Sequence, residues 1–319
     1  MHAADIARVD VVFDGVAVAA AAPRRIEALP GGLTNRNYRV FGADGSQAVA
    51  RVACDQGELL GIDRNAEHAN SCAAAEAGVA PAVLAFDPDQ RVLAVDWIEG
   101  RTFDAADLDD SETLARVART CAQLHAGPRF INDFDMFAVQ RGYLELVSEK
   151  GFRLPARYAE FSDQVTLMQR ALTVRDEGTR PCHNDLLAAN IMDDGERIWF
   201  IDFEYSGNND VCFELGNLWS ESNLSEDRLV ELVTEYFGGF CAAKLARARL
   251  FALMSKYGWT LWASIQAAVS EVDFDFWSWG MEKFDRAVAE FDSPQFTQWI
   301  SDVQQPHQPR EQLCQKVSL

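Results

Sequence analysis

Between Pro181 and Tyr205 the chain runs Pro-Cys-His-Asn-Asp-Leu-Leu-Ala-Ala-Asn-Ile-Met-Asp-Asp-Gly-Glu-Arg-Ile-Trp-Phe-Ile-Asp-Phe-Glu-Tyr, and few folds can accommodate that order of residues. Ile198-Trp199-Phe200-Ile201 is an apolar, β-branched and aromatic run of the kind that forms a buried strand, and it delivers Asp202 at its C-terminal end. Asp193-Asp194-Gly195-Glu196 ahead of it is a hairpin turn. Asp185 and Asn190 lie in the loop before that hairpin, so a tight turn returns both to the cavity where Asp202 arrives. Taken singly, an Asn-Asp pair caps a helix or closes a turn, and an Asp after a strand opens a loop. The ordered set has a chemistry. Moving a γ-phosphoryl group requires a carboxylate to orient the acceptor hydroxyl and take its proton, and oxygen ligands to hold Mg²⁺ on the nucleotide's phosphates. Asp185 suits the first task, and Asn190 and Asp202 suit the second.

His183-Asn184-Asp185, four further residues and Asn190, then Ile201-Asp202-Phe203-Glu204-Tyr205-Ser206 and Phe213-Glu214-Leu215-Gly216-Asn217, resemble the choline and ethanolamine kinase family, within the wider aminoglycoside phosphotransferase and protein-kinase-like superfamily. The similarity runs from Leu29 to Phe284. It implies an α+β, bilobal protein-kinase-like fold with a small β-rich N-lobe and a larger, mainly helical C-lobe. The expected division is a nucleotide-binding lobe over 1–97, a catalytic and acceptor-binding lobe over 98–302, and a flexible tail over 303–319, where Gln304 to Pro309 is polar and broken by proline. A chain of 319 residues, 48% hydrophobic, has enough apolar material for two such lobes. By the same resemblance His183 belongs to the catalytic loop as a buttress beside Asp185, and Glu204 touches a second metal or holds the loop.

In the first lobe, Gly31-Gly32-Leu33-Thr34-Asn35-Arg36-Asn37 is a glycine turn with hydroxyl and amide donors, able to cradle phosphates although it is neither a Walker loop nor the protein-kinase glycine pattern. Its likeness to the family's Gly-Gly-Leu-Thr-Asn loop implies that Gly31, Gly32, Thr34, Asn35 and Asn37 line the ATP site. Arg51, in the strand pattern Gln47 to Val52, takes the place of the kinase lysine on the nucleotide phosphates, with Glu67 as its partner or else as a solvated helix residue. Asp96-Trp97-Ile98, after the apolar run from Val92, forms the hinge where main-chain groups meet adenine, their side chains serving equally as core filler.

Acceptor choice rests on aromatics. Trp259 and Trp262 share a helix face, and Phe274 and Trp279 follow among acidic residues. On spacing alone such residues are core as readily as a cation–π cage. The resemblance implies that Tyr205, Glu221, Trp259, Trp262, Phe274 and Trp279 line an amino-alcohol pocket with Asp185 at its reacting end. Where eukaryotic members carry a further aromatic, this chain has Glu226, an extra carboxylate that favours a primary or secondary amine. Ethanolamine, thiamine, an aminoglycoside or another small alcohol are the alternative acceptors, and a non-catalytic nucleotide- or choline-binding module is the alternative class.

A formal net charge of −20 argues against a nucleic-acid partner and suits a cationic small molecule, though surplus carboxylates also serve solubility. Seven cysteines without a Cys-x-x-Cys pair suggest reduced thiols in a cytoplasmic protein. Val16 to Ala22 is too short to span a bilayer and reads as a small helix or capping segment. Monomer and homodimer are both compatible with the sequence.

Overall fold

The computed structural model describes residues 3–20, 22–54 and 57–306. Its N-terminal part is built on a five-stranded antiparallel sheet of β1 (Arg25–Ala28), β2 (Asn35–Phe41), β3 (Gln47–Ala53), β4 (Val83–Asp87) and β5 (Val92–Asp96), in the order β1-β2-β3-β5-β4. The period-two alternation of β2 and β3 sorts residues to two faces. Tyr38, Val40, Ala48, Ala50 and Val52 point into a small core with Val92 and Ala94, whereas Asn37 and Arg51, paired across the strands, share the opposite face.

Helix α1 (Ala3–Phe13), which no sequence signal announced, covers that core with Val9, Val12 and Phe13. Buried Asp5 fixes it to the sheet by accepting from Tyr38 Oη (2.6 Å) and Arg36 Nη2 (3.0 Å). Of the small helix or capping segment expected after it, residues 16–20 form the latter, a non-helical stretch with a turn at Val18 and Ala19 and with Val16 and Ala19 tucked into the same core. Helix α2 (Arg64–Glu76), capped by Asp63, lies between β3 and β4 in the chain.

The remainder is mostly helical. In chain order it comprises β6 (Arg101–Thr102), α3 (Ser111–His125), α4 (Met136–Lys150), α5 (Ser162–Thr173), β7 (Arg180–Cys182), β8 (Ile191–Asp193), β9 (Ile198–Phe200), β10 (Gly207–Asn209), α6 (Val211–Glu221), α7 (Glu226–Phe237), α8 (Ala242–Val269), α9 (Phe276–Phe291) and α10 (Pro294–Asp302). Helix α8 is apolar almost all round and forms the axis against which α4, α6, α9 and α10 pack. Gly216 permits the α6–α8 contact, since a Cβ there would lie 2.2 Å from the Ala248 carbonyl oxygen. Val303, assigned to the tail by sequence, is instead 2% exposed and part of the helical core, while 307–319 lie outside the described residues. No helix among the described residues is long and apolar enough to cross a membrane.

Two miniature sheets position the chemistry. β7 pairs with β10, and β6-β8-β9 form the other, so the loops 183–190 and 201–206 emerge side by side.

Candidate active site

The loop from His183 to Asn190 is held from beneath by a residue that sequence reasoning quoted without assigning it a role. Glu214, fully buried on α6, accepts the main-chain N–H of His183 and of Asn184, each at 2.8 Å. Burial by itself would push this carboxyl up, but His125 and the loop amides hold it below the ordinary carboxylate range. His125 bonds Tyr236 Oη through Nδ1 at 2.7 Å, a structural role consistent with its place at the end of α3. The buried trio His125, Cys182 and Glu214 is therefore a support: burial pushes the Cys182 thiol well up, and Glu214 is committed to amides.

Asn184 adopts φ +66°, a conformation that asparagine tolerates better than most residues. Its side chain donates to the carbonyls of Tyr205 and Gly207, both at 3.1 Å, and accepts from Asn209 at 2.9 Å. His183 donates from Nε2 to the Ile201 carbonyl (2.8 Å) and accepts the Asp185 N–H at Nδ1 (3.4 Å). Burial holds its imidazole below the usual range. Both ring nitrogens are thus occupied by main-chain partners of the two loops.

Asn190 Nδ2 donates to the Asp185 carbonyl at 2.9 Å, which fixes the side chain beside Asp185 and leaves its amide oxygen as the acceptor end. Asp202 sits at φ +69°, a left-handed conformation costing about 1–3 kcal/mol, and its carboxylate is ion-paired to Arg51. Arg51 also meets Glu67 (3.2 Å) and Glu204 (3.1 Å), so Glu67 is a buried partner and not a solvated helix residue. Arg64, overlooked in the sequence although it precedes Glu67 by one helical turn, bonds Glu67 (2.6 Å), Glu204 (3.2 Å) and Asn35 (2.9 Å). Glu204 accepts in addition from Thr34 Oγ1 at 2.7 Å and Asn35 Nδ2 at 2.9 Å. Its oxygens thus tie the glycine loop to the C-lobe. Gly31 and Gly32 carry φ of +89° and +88°, and a Cβ on Gly32 would meet the Asn35 carbonyl at 2.6 Å.

Among the described residues, five carboxylates, Glu67, Asp185, Asp202, Glu204 and Glu221, are offset by ion pairs or close charges from Arg51, Arg64 and Lys283, with Lys256 acting on Glu221 from farther off. Burial first, then Glu221, Asp202 and Glu204, push Asp185 well above its usual range. Burial, with Glu204 and Glu67 opposing the pull of Arg51, raises Asp202 to about 6. A donor set with surplus negative charge, the Asn190 amide oxygen and two reluctantly ionised carboxylates fits Mg²⁺. A carboxyl whose folded-state pKa exceeds its ordinary 3.8 stabilises the fold below that pH and loses the contribution as pH rises through about 6. Asp202→Asn is accordingly expected to make the ligand-free chain about 2 kcal/mol more stable at pH 8, with the gain vanishing below pH ~4, as read by denaturant titration at both pH values.

The hinge residues Asp96, Trp97 and Ile98 lie half-buried between β5 and β6. Asp96 donates its N–H to the Ala82 carbonyl at 2.9 Å, and burial raises its carboxyl. The Trp97 ring is covered by the Arg39 guanidinium at 3.7 Å and donates Nε1 to Glu99.

On the acceptor side, Trp262 donates Nε1 to Tyr205 Oη at 2.8 Å, and Tyr205 meets Trp259 edge-on at 5.0 Å. Trp262 also meets Phe276 at 5.7 Å and Trp279 at 5.5 Å, joining α8 to α9. Phe274 is 41% exposed and touches the cluster through Phe276 at 4.9 Å, so it stands at the rim while Phe276 occupies the interior. Glu221 Oε2 accepts from Lys283 Nζ at 2.5 Å, and its Oε1 is buried without a hydrogen-bond partner. Lys283 was not foreseen, although it lies one turn beyond Trp279 on the same helix face. Glu226 adds nothing to this wall. It is an exposed residue paired with Arg249 at 2.6 Å, so the extra carboxylate read from the sequence is no pocket group.

Residues 26–230 match the choline/ethanolamine kinase family. Protein LicA of Haemophilus influenzae is 26% identical over 268 residues, covering 81% of this chain and 77% of that protein. Ethanolamine kinase 1 of Mus musculus is 26% identical over 296 residues, covering 80% of each. A crystal structure of a choline/ethanolamine kinase family protein from Mesorhizobium loti superposes with a TM-score of 0.81 at 30% identity, spanning 94% of this chain and 98% of that one. The chain belongs to the choline/ethanolamine kinase family, with its bilobal protein-kinase-like fold, and is a phosphotransferase that uses a nucleotide and acts on an alcohol hydroxyl.

Proposed function

We propose that the chain transfers the γ-phosphoryl group of ATP to the hydroxyl of choline or a closely related amino alcohol. The observation that carries this reading is Glu221: a buried carboxylate with one oxygen unpartnered, next to the aromatic cluster and close enough to Asp185 to raise its pKa. A cation held against aromatic faces and that carboxylate has its hydroxyl directed to Asp185. Asp185, reluctant to ionise, accepts the hydroxyl proton as the new P–O bond forms and the β–γ bridge breaks, and its main task is orientation, since a loose transition state calls for little early proton removal. Arg51 faces the nucleotide phosphates. Asn190 and Asp202 would hold Mg²⁺, which when bound neutralises charge on the transferring phosphate.

Ethanolamine is the second acceptor. A buried and unpartnered acceptor atom, Glu221 Oε1, suits an ammonium with N–H donors.

Trp262→Ala removes one aromatic face and the tether on Tyr205. It is expected to raise the KM for the amino alcohol ~10-fold or more while leaving the KM for ATP within about twofold, measured by coupled ADP release. Equal changes in both constants would assign Trp262 to folding alone.

A further inference from the structure

Lys283 is a cationic side chain on the acceptor side that no expectation anticipated, and among the described residues it is the one ion-paired to Glu221. It projects from α9 into a buried position, 5% exposed, with Nζ 2.5 Å from Glu221 Oε2 and 4.1 Å from the centroid of the Trp279 ring. A primary ammonium thus already sits against one carboxylate oxygen and one indole face, the two contacts that an amino-alcohol substrate requires. The other Glu221 oxygen is buried and unpartnered.

The arrangement has a physical cause. A buried carboxylate without a counter-charge costs several kcal/mol, so a pocket that offers Glu221 to a substrate is unstable whenever it is empty. Lysine suits a temporary counter-ion, because its compact charge rides on a flexible four-carbon stem that can shift without displacing the helix. Arginine pairs elsewhere in the site, at Arg51 and Arg64, are multidentate, whereas Lys283 makes its single ionic contact to Glu221.

We propose that Lys283 is a resident stand-in for the substrate's ammonium group, neutralising Glu221 while the pocket is empty and setting by competition how tightly a cationic acceptor binds. This assignment rests on the amino-alcohol reading of the pocket and deepens it. An arriving cation meets a neutral Glu221–Lys283 pair and not a bare carboxylate, so its affinity is the difference between its own contacts and those it takes from the lysine. The pocket therefore favours acceptors that gain more than one aromatic face and one oxygen, which means those also reaching Trp262 or Tyr205.

The test compares wild type, Lys283→Met and Lys283→Arg in the full-length chain, with choline and ethanolamine as probes. Lys283→Met should melt below wild type without ligand, gain more in Tm than wild type from saturating choline, and show a KM for choline about tenfold lower at an unchanged KM for MgATP. Lys283→Arg keeps the charge on a fork able to engage both Glu221 oxygens, so it should not lower the KM for choline. An unchanged or raised KM for choline in Lys283→Met, with no larger thermal gain, would overturn the assignment of Lys283 while leaving the acceptor reading intact. Lys283→Gln, which retains a hydrogen-bond donor without charge, carries the same expectation should the methionine variant fail to fold. A wild type that neither phosphorylates nor is stabilised by either amino alcohol would overturn the acceptor reading itself.

Discussion

Asp185→Ala is expected to lower kcat by ~10³-fold while leaving nucleotide affinity within about threefold. The asymmetry follows from where the carboxylate stands. Asp185 makes no ion pair with Arg51 or with the glycine loop, whose contacts run instead through Asp202, Glu204 and Glu67. Removing it takes away the group that orients the acceptor and leaves the nucleotide-facing network complete. Folding should survive, because a carboxyl pushed well up by burial and by three neighbouring carboxylates is a net burden on the folded state at neutral pH. Stopped single-turnover assays with equilibrium titration of ATP separate the two effects. Turnover retained within tenfold would remove Asp185 from its proposed role.

Glu214→Ala carries the largest expected cost in stability. It leaves the N–H groups of His183 and Asn184 buried without an acceptor, a loss of about 1–3 kcal/mol for each, and it removes the carboxylate facing His125 Nε2. A fall in Tm of ~10 °C is expected, together with lower kcat in whatever fraction remains folded, because Asn184 holds its positive φ only while the loop is pinned. Glu214→Gln preserves shape and one acceptor oxygen. It should recover most of the stability and less of the turnover, which distinguishes a positioning role from simple packing.

The catalytic centre was legible in the sequence to the extent that its parts are close along the chain. The turn at Asp193–Glu196, the strand ending before Asp202 and the return of Asn190 beneath Asp185 follow from local chemistry, and the hairpin of β8 and β9 with the Asn190–Asp185 bond realises them. The strands carrying Arg51 and running from Val92, and the helix carrying Trp259 and Trp262, likewise follow from local patterns, although the length of α8 was not foreseen. Residues joined only by tertiary pairing were not legible. Lys283 and Glu221 are 62 residues apart, Glu204 and Arg64 are 140 apart, and in each case a charged side chain looks solvent-facing until its partner is known. Helix α1 escaped notice because its buried face is shared between Val9, Val12, Phe13 and a carboxylate, Asp5, which anchors it to the sheet only through partners distant in the chain. Glu226 misled for the opposite reason. Its position five residues after Glu221 suggested the pocket wall, but the turn between α6 and α7 carries it to the surface, where Arg249 takes it up.

The roles of Glu221 and the aromatic cluster converge on one claim, that Asp185 works on the hydroxyl of a small cationic alcohol. The most direct measurement is ³¹P NMR of the purified chain with ATP, Mg²⁺ and, in separate reactions, choline, its partly methylated precursors, ethanolamine, thiamine and an aminoglycoside. A new phosphomonoester resonance with choline or a neighbouring amino alcohol, accompanied by stoichiometric ADP, is the predicted result. Phosphorylation of thiamine or the aminoglycoside alone, or no ester with any amino alcohol, would contradict it.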